Sequence, residues 1–156
     1  PNESMRCLRQ MLANEEQRMH LPIELQVFDA RHKTEMPGTD FDIYLSSGGP
    51  GSPFDGEGSE WERLYFNLLD QLWHINTGPA EQKKYVFFIC HSFQLMCRFF
   101  QIGHITQRPY MAFGVNPIRK TAAGESDWLL GDLANPFYAA DFRNFQVIEP
   151  TQAQLV

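Results

Sequence analysis

The stretch Tyr85–Phe100, YVFFICHSFQLMCRFF, passes from one structural period to another without a loop between them. Its first half is a short apolar run rich in β-formers, which reads as a strand. Its second half sets apolar residues at helical spacing. The chain must leave a strand and enter a helix at a single point, and Cys90 is the residue at that join. The apolar run offers side chains to both faces of the strand. That pattern predicts a central parallel strand covered by helices on both sides, and so places the chain among the α/β folds.

The remaining segments fill in that class. Ser4 is positioned to cap a helix reaching about Asn14, with Met5, Leu8, Met11 and Leu12 on one face. Glu24–Ala30, ELQVFDA, alternates and reads as a strand, and so does Phe41–Ser47, FDIYLSS. Ser59 and Glu62 form a capping-box pattern ahead of Trp61, Leu64, Tyr65, Leu68 and Leu72, which predicts a helix over 59–75 ended by Gly78-Pro79. The helix after Cys90 should end near Gly103. HITQRP and MAFGVNPIRKT read as extended, DWLLGDL as a short helix, and FYAADFRNFQVIEP as holding a strand near its end. The expectation is one domain over 1–156, three-layer α/β/α, with a mainly parallel, flavodoxin-like sheet. Pro1 leads almost directly into a helix and Val156 closely follows a strand-like segment, so the chain reads as an excerpt truncated at both ends.

A chain of 156 residues, 43% of them hydrophobic, is long and apolar enough for a real core. Its formal charge of −6 argues against a nucleic-acid partner, because a phosphate backbone calls for a basic face. The same charge disfavours an anionic membrane surface. No apolar run approaches the about 20 residues needed to cross a bilayer, and the first residues do not read as a signal peptide. Three cysteines without CxxC spacing, Cys7, Cys90 and Cys97, read as free thiols of a reducing compartment, and the cytoplasm is the expected location.

Two features carry chemistry. A thiol at the C-terminal end of a central strand projects from the sheet edge where α/β folds bind ligands. At a helix N-terminus the partial positive charge suits an anionic nucleophile. The amide of the next residue, His91, can face a developing oxyanion. The second feature is Gly48-Gly49-Pro50-Gly51-Ser52, at the end of another strand. Its glycines let the backbone approach a ligand and expose amide N–H groups. Two parallel strands ending side by side would set the Gly49 amide and the Cys90 thiol around one substrate carbonyl, the layout of an acyl-transfer site. The loop lacks the lysine of a P-loop.

FDIYLSSGGPGSP followed by FFICHSFQ resembles the class I glutamine amidotransferase domain, whose pattern is a strand ending in GGPGSP and then a G-x-C-x-G-x-Q elbow. Within that family it resembles the amidotransferase half of GMP synthase. The resemblance implies hydrolysis of the glutamine side-chain amide through a cysteine thioester, with ammonia passed to a synthetase domain or subunit and no cofactor or metal. It assigns Cys90 as nucleophile and the backbones of Gly49 and His91 as the oxyanion hole. Gln94, with Gly48, Gly51 and Ser52, would hold the substrate. Phe88 and Ser92 stand where the family has glycines. The family's triad is completed by a His-x-Glu pair well beyond the cysteine, whereas no histidine follows His104 here. Asp141 and Arg143 fall in a late segment where the family commonly has a histidine and an acid.

Other readings remain open. Phe88 and Ser92 would suit a related thiol acyltransferase or hydrolase acting on a different substrate. The missing histidine would suit a catalytically inactive binding module on the same fold. Cys7 and Cys97 read as packing residues. His91 is expected to act through its backbone, His74 to interact with a helix C-terminus, and His20, His32 and His104 show no metal-ligand spacing.

Overall fold

The computed structural model describes residues 3–150. In chain order its elements are α1 (Glu3–Met19), α2 (Ala30–Lys33), β1 (Ile43–Ser46), α3 (Glu60–Thr77), β2 (Tyr85–Phe88), α4 (His91–Phe100), β3 (His104–Ile118), α5 (Ala122–Glu125) and β4 (Phe137–Ile148). The chain is mixed α/β. Among the described residues the strands form two separate two-stranded sheets, β1 with β2 in parallel and β3 with β4 antiparallel, rather than one mainly parallel sheet.

The parallel pair is joined through α3, as a parallel connection requires. Its register sets Tyr44 opposite Val86 and Ser46 opposite Phe88. Tyr44 packs with Leu68 and Leu72 of α3, against Phe41 and Val86. Tyr65 and Leu69 of α3 pack with Leu95 of α4, and Phe88 joins them. Both helices therefore cover the same face of the sheet. The opposite face is open: Ile43 is 64% exposed, Tyr85 62% and Phe87 50%. The apolar run of β2 was expected to be covered on both sides, and among the described residues it is covered on one.

At the head of α3, the Ser59 hydroxyl accepts from the Glu62 amide at 3.3 Å and donates to the Gly56 carbonyl at 2.6 Å. Only half of the capping box forms, because the Ser59 amide donates to Gly56 and the Glu62 carboxylate turns to Arg98. Gly78 ends the helix with its N–H on the His74 carbonyl.

Four local expectations differ. The first helix runs to Met19 and begins at Glu3, so Ser4 lies within its first turn. Glu24–Ala30 forms no strand, since alternation without a neighbouring ladder leaves the backbone unpaired. There Asp29 caps α2 instead, accepting from the His32 amide at 3.1 Å. HITQRP and MAFGVNPIRKT are one strand, whose ladder slips between Gln107 and Ala112, around Pro109, which has no N–H to donate. DWLLGDL is a series of turns. The short helix falls earlier, at Ala122–Glu125, where the Thr121 hydroxyl accepts from the Gly124 amide. The turns are gathered by Lys120, whose Nζ donates to the carbonyls of Leu130, Gly131 and Leu133 at 3.3, 3.0 and 2.7 Å.

The long ribbon of β3 and β4 reaches α4. α4 closes on Gln101, and Gly103 lies just beyond at φ +73°, where a Cβ would stand 2.7 Å from the Ile148 carbonyl oxygen. Glycine is needed at this close approach of the two segments. No helix among the described residues is long and apolar enough to cross a membrane.

Candidate active site

The strand-to-helix join has the form the sequence calls for. Cys90 holds φ +56° and ψ −108° between β2 and α4, a backbone region that residues with a Cβ rarely enter. The turn lifts the residue out of the strand line, and Cys90 is exposed. Its neighbours fix it. The Ile89 amide donates to the Ser46 carbonyl at 2.9 Å, carrying the parallel pairing one residue past the ladder. Ser92 uses its hydroxyl as a link. It accepts from the Ile89 amide at 2.9 Å and donates to the Ser46 carbonyl at 2.5 Å. Phe88 points into the helical layer and fills the cluster of Tyr65, Leu69 and Leu95. Both side chains are thus accommodated at the turn by packing and hydrogen bonding.

The glycine loop leaves the end of β1 on the same side as the elbow. A Cβ built on Gly48 would lie 3.0 Å from the Cys90 Cβ, 3.2 Å from the Ile89 carbonyl oxygen and 3.7 Å from the His91 amide nitrogen. Gly48 therefore lies directly against the elbow, and Gly49, one residue on, lies against Arg31, whose Nη1 is 3.0 Å from the corresponding point. Gly51 takes φ +101° beside the Asp55 carboxylate. The Ser52 amide donates to Asp55 Oδ2 at 2.7 Å, and its hydroxyl accepts from the Phe54 amide at 3.1 Å. Three side chains hold carbonyls of this loop from outside. Arg31 Nη1 donates to Pro50 at 2.8 Å, His91 Nε2 meets the Ser52 carbonyl at 3.2 Å, and Arg98 donates to Pro53.

The sequence-assigned residues are thus brought together, with changes of role. Cys90, Gly48 and His91 converge, whereas Gly49, expected at the oxyanion hole, lies against Arg31 and it is Gly48 that faces the elbow. Ser52 binds within its own loop. Gln94 is buried, and its Nε2 donates to the Phe145 carbonyl of β4 at 3.2 Å, so it ties the elbow helix to the ribbon. Asp141 and Arg143 pair with each other at 2.8 Å. Cys97 is buried, which pushes its thiol pKa up, while Cys7 is exposed on α1 rather than packed.

Arg31, Arg98, Glu62 and Asp55 were not picked out from sequence. Arg31 stands in a polar connection with no pattern around it, and Glu62 reads first as a capping residue. Arg98 lies two turns after Cys90, a spacing that returns to the same side of the helix, which is the one available signal. Its guanidinium meets Glu62 at 2.5 Å and covers the rings of Phe54 and Phe66. Among the described residues no three or more His, Cys, Asp or Glu side chains are grouped to hold a metal ion.

His91 is 4% exposed. Burial is the main cause that holds its imidazole below the ordinary pKa. Arg31 and Arg98 add to this, and the Ser52 carbonyl and Asp55 oppose it. The fold therefore favours the neutral ring. Above about pH 6.5, the ordinary histidine value, both folded and unfolded chains carry it neutral and stability is full. Below that, the unfolded chain takes up the proton first, so stability declines as pH falls until the folded pKa is passed. Urea midpoints between pH 8 and 5 should fall more steeply for the native sequence than for His91→Gln. Equal slopes would remove His91 as the titrating group.

Comparison with family models, with curated proteins and with solved structures gives no match to this chain.

Proposed function

We propose that this chain is a thiol-dependent acyl-transfer domain of the class I glutamine amidotransferase type, releasing ammonia from the side-chain amide of glutamine. The observation that carries the reading is the backbone of Cys90, φ +56° and ψ −108°, at a strand-to-helix turn with Gly48 packed against its Cβ. A non-glycine residue in such a conformation costs of order 1–3 kcal/mol and is characteristic of functional sites. A cysteine that only filled space would have no need of it.

In this reading the Cys90 sulfur, as thiolate, adds to the amide carbon, and the carbonyl electron pair moves to oxygen. The oxyanion faces the glycine-loop backbone and the His91 amide, at the first turn of a helix whose leading N–H groups have no partner within the helix. Collapse breaks the C–N bond, and protonated nitrogen leaves as ammonia. Water then cleaves the thioester to give glutamate and restores the thiol. The β1–α3–β2–α4 path, with both site loops leaving one end of the parallel pair, supports a flavodoxin-like order of elements; the three-layer arrangement in this reading would add a layer on the open face of β1 and β2. This reading calls for a histidine base with a carboxylate to orient it, and no histidine follows His104 in this sequence. A synthetase domain or partner would receive the ammonia. Three free cysteines suit the cytoplasm.

A second reading, a binding module without turnover, is favoured by one observation: the His91 ring is engaged with the Ser52 carbonyl. The two separate on labelling. The full-length native protein is treated with a γ-diazoketone analogue of glutamine, digested, and searched by mass spectrometry for an adduct, with Cys90→Ala as control. An adduct on Cys90 that excess glutamine prevents supports the amidotransferase reading. A folded chain with no adduct excludes glutamine as the donor, leaving the binding module or a thiol acyltransferase of another substrate.

A further inference from the structure

Two guanidinium groups hold the glycine loop, and they are differently neutralised. Arg98 is paired with Glu62, and the two side chains are only 13% and 7% exposed. Arg31 also donates to the loop, at the Pro50 carbonyl, yet among the described residues no carboxylate lies within ion-pair distance of it. The nearby acids have other partners. Asp29 caps α2 through the His32 amide, Glu35 accepts from the Asp29 amide and pairs with Lys33, and Asp55 holds the Ser52 amide.

Arg31 is also held in place. Its guanidinium carbon lies 5.5 Å from the centre of the Trp61 ring, a cation–π placement. Nη1 stands by Gly49 and Nη2 by Gly51, so the group spans the loop. Of five N–H donors on such a group, one is on Pro50, and the side chain is only half-buried. On the other side of the same loop, Gly48 touches Cys90. A fixed, unneutralised guanidinium therefore lies within the length of a small molecule of an exposed thiol, in a chain whose net charge is −6.

We propose that Arg31 binds the carboxylate of the acyl donor. The site would then select donors that carry a carboxylate a few bonds from the carbonyl that Cys90 attacks. The proposal rests on the acyl-transfer reading of Cys90. Arg is suited to the task because its planar fork grips a carboxylate through two parallel hydrogen bonds.

The test uses the full-length native protein and three probes of Cys90: the γ-diazoketone analogue of glutamine, its α-methyl ester, and iodoacetamide. Rates of adduct formation are read by mass spectrometry, and each diazoketone rate is divided by the iodoacetamide rate to remove changes in thiol reactivity. The native chain should prefer the free acid over the ester by about tenfold or more, as a charge-assisted contact implies. Arg31→Met should bring that ratio close to one, and Arg31→Lys should keep part of it. Equal rates for acid and ester in the native chain overturn the inference while leaving the acyl-transfer reading intact, and so does a preference that persists in Arg31→Met. If Arg31→Met fails to fold, the native ratio and Arg31→Lys decide. If iodoacetamide modifies Cys90 and neither diazoketone does, the glutamine reading fails and takes this inference with it.

Discussion

Cys90→Gly is expected to be more stable than Cys90→Ala by about 1 kcal/mol, a reversal of the usual order of the two residues. A Cβ at φ +56° and ψ −108° carries strain of order 1–3 kcal/mol. Glycine removes that strain but loses about 0.5–1 kcal/mol through the greater freedom of its unfolded chain. The balance favours glycine, and in a domain of this size it amounts to a difference of about 3 °C in Tm. Both variants should take up no diazoketone at residue 90. A position where glycine is more stable than alanine, yet a cysteine stands, is one in which the turn is kept for chemistry. If Cys90→Ala melts at or above Cys90→Gly, the turn is not strained and the main support for the proposed function is gone.

Glu62→Ala is expected to cost about 3 kcal/mol, because it leaves the largely buried Arg98 guanidinium without its counter-charge. Glu62 Oε1 meets Arg98 Nη1 at 2.5 Å, and the same nitrogen donates to the Pro53 carbonyl. The damage therefore extends from α3 through α4 into the loop beside the thiol. Removing both charges should behave differently. Glu62→Leu with Arg98→Met replaces the pair by packed apolar groups and should recover most of the loss, since a buried pair contributes little beyond what apolar side chains of similar size provide. Urea midpoints of the two single variants and the double variant measure this directly. A loss below about 1 kcal/mol for Glu62→Ala would mean that water reaches Arg98 once the acid is gone.

The parts of this molecule legible in the sequence are those set by contacts close along the chain. The capped helix α3, the stop at Gly78 and the junction at Cys90 each depend on residues within a turn or two of one another, and each is found. Glu24–Ala30 shows the limit. Its alternation is genuine, but Leu25 and Val27 are left 41% and 47% exposed, because a strand exists only beside another strand. The apolar pattern of β2 promised two covering layers, yet composition records only that a side chain is apolar, not whether anything covers it. At the site, glycines and a cysteine announce themselves through backbone rules. The groups that hold them do not. Arg31 meets Pro50 across 19 residues and Arg98 meets Glu62 across 36, and no local rule connects such pairs.

The register of the short parallel pair has a consequence for how insertions would act. Tyr44 opposes Val86, and these two side chains share the helix-covered face. Phe88, two positions beyond Val86, shares that face, and the turn at Cys90 begins just after the strand ends, so the elbow inherits the phase of the strand. One residue added between Val86 and Cys90 would put that phase out by half a period and turn the thiol toward the wrong face of the sheet. An equal addition in the turns between α5 and β4 would meet backbone held by Lys120, Asp127 and Asn135, with no strand register to shift. The thiol is thus governed by a frame only a few residues long, in which spacing matters as much as residue identity.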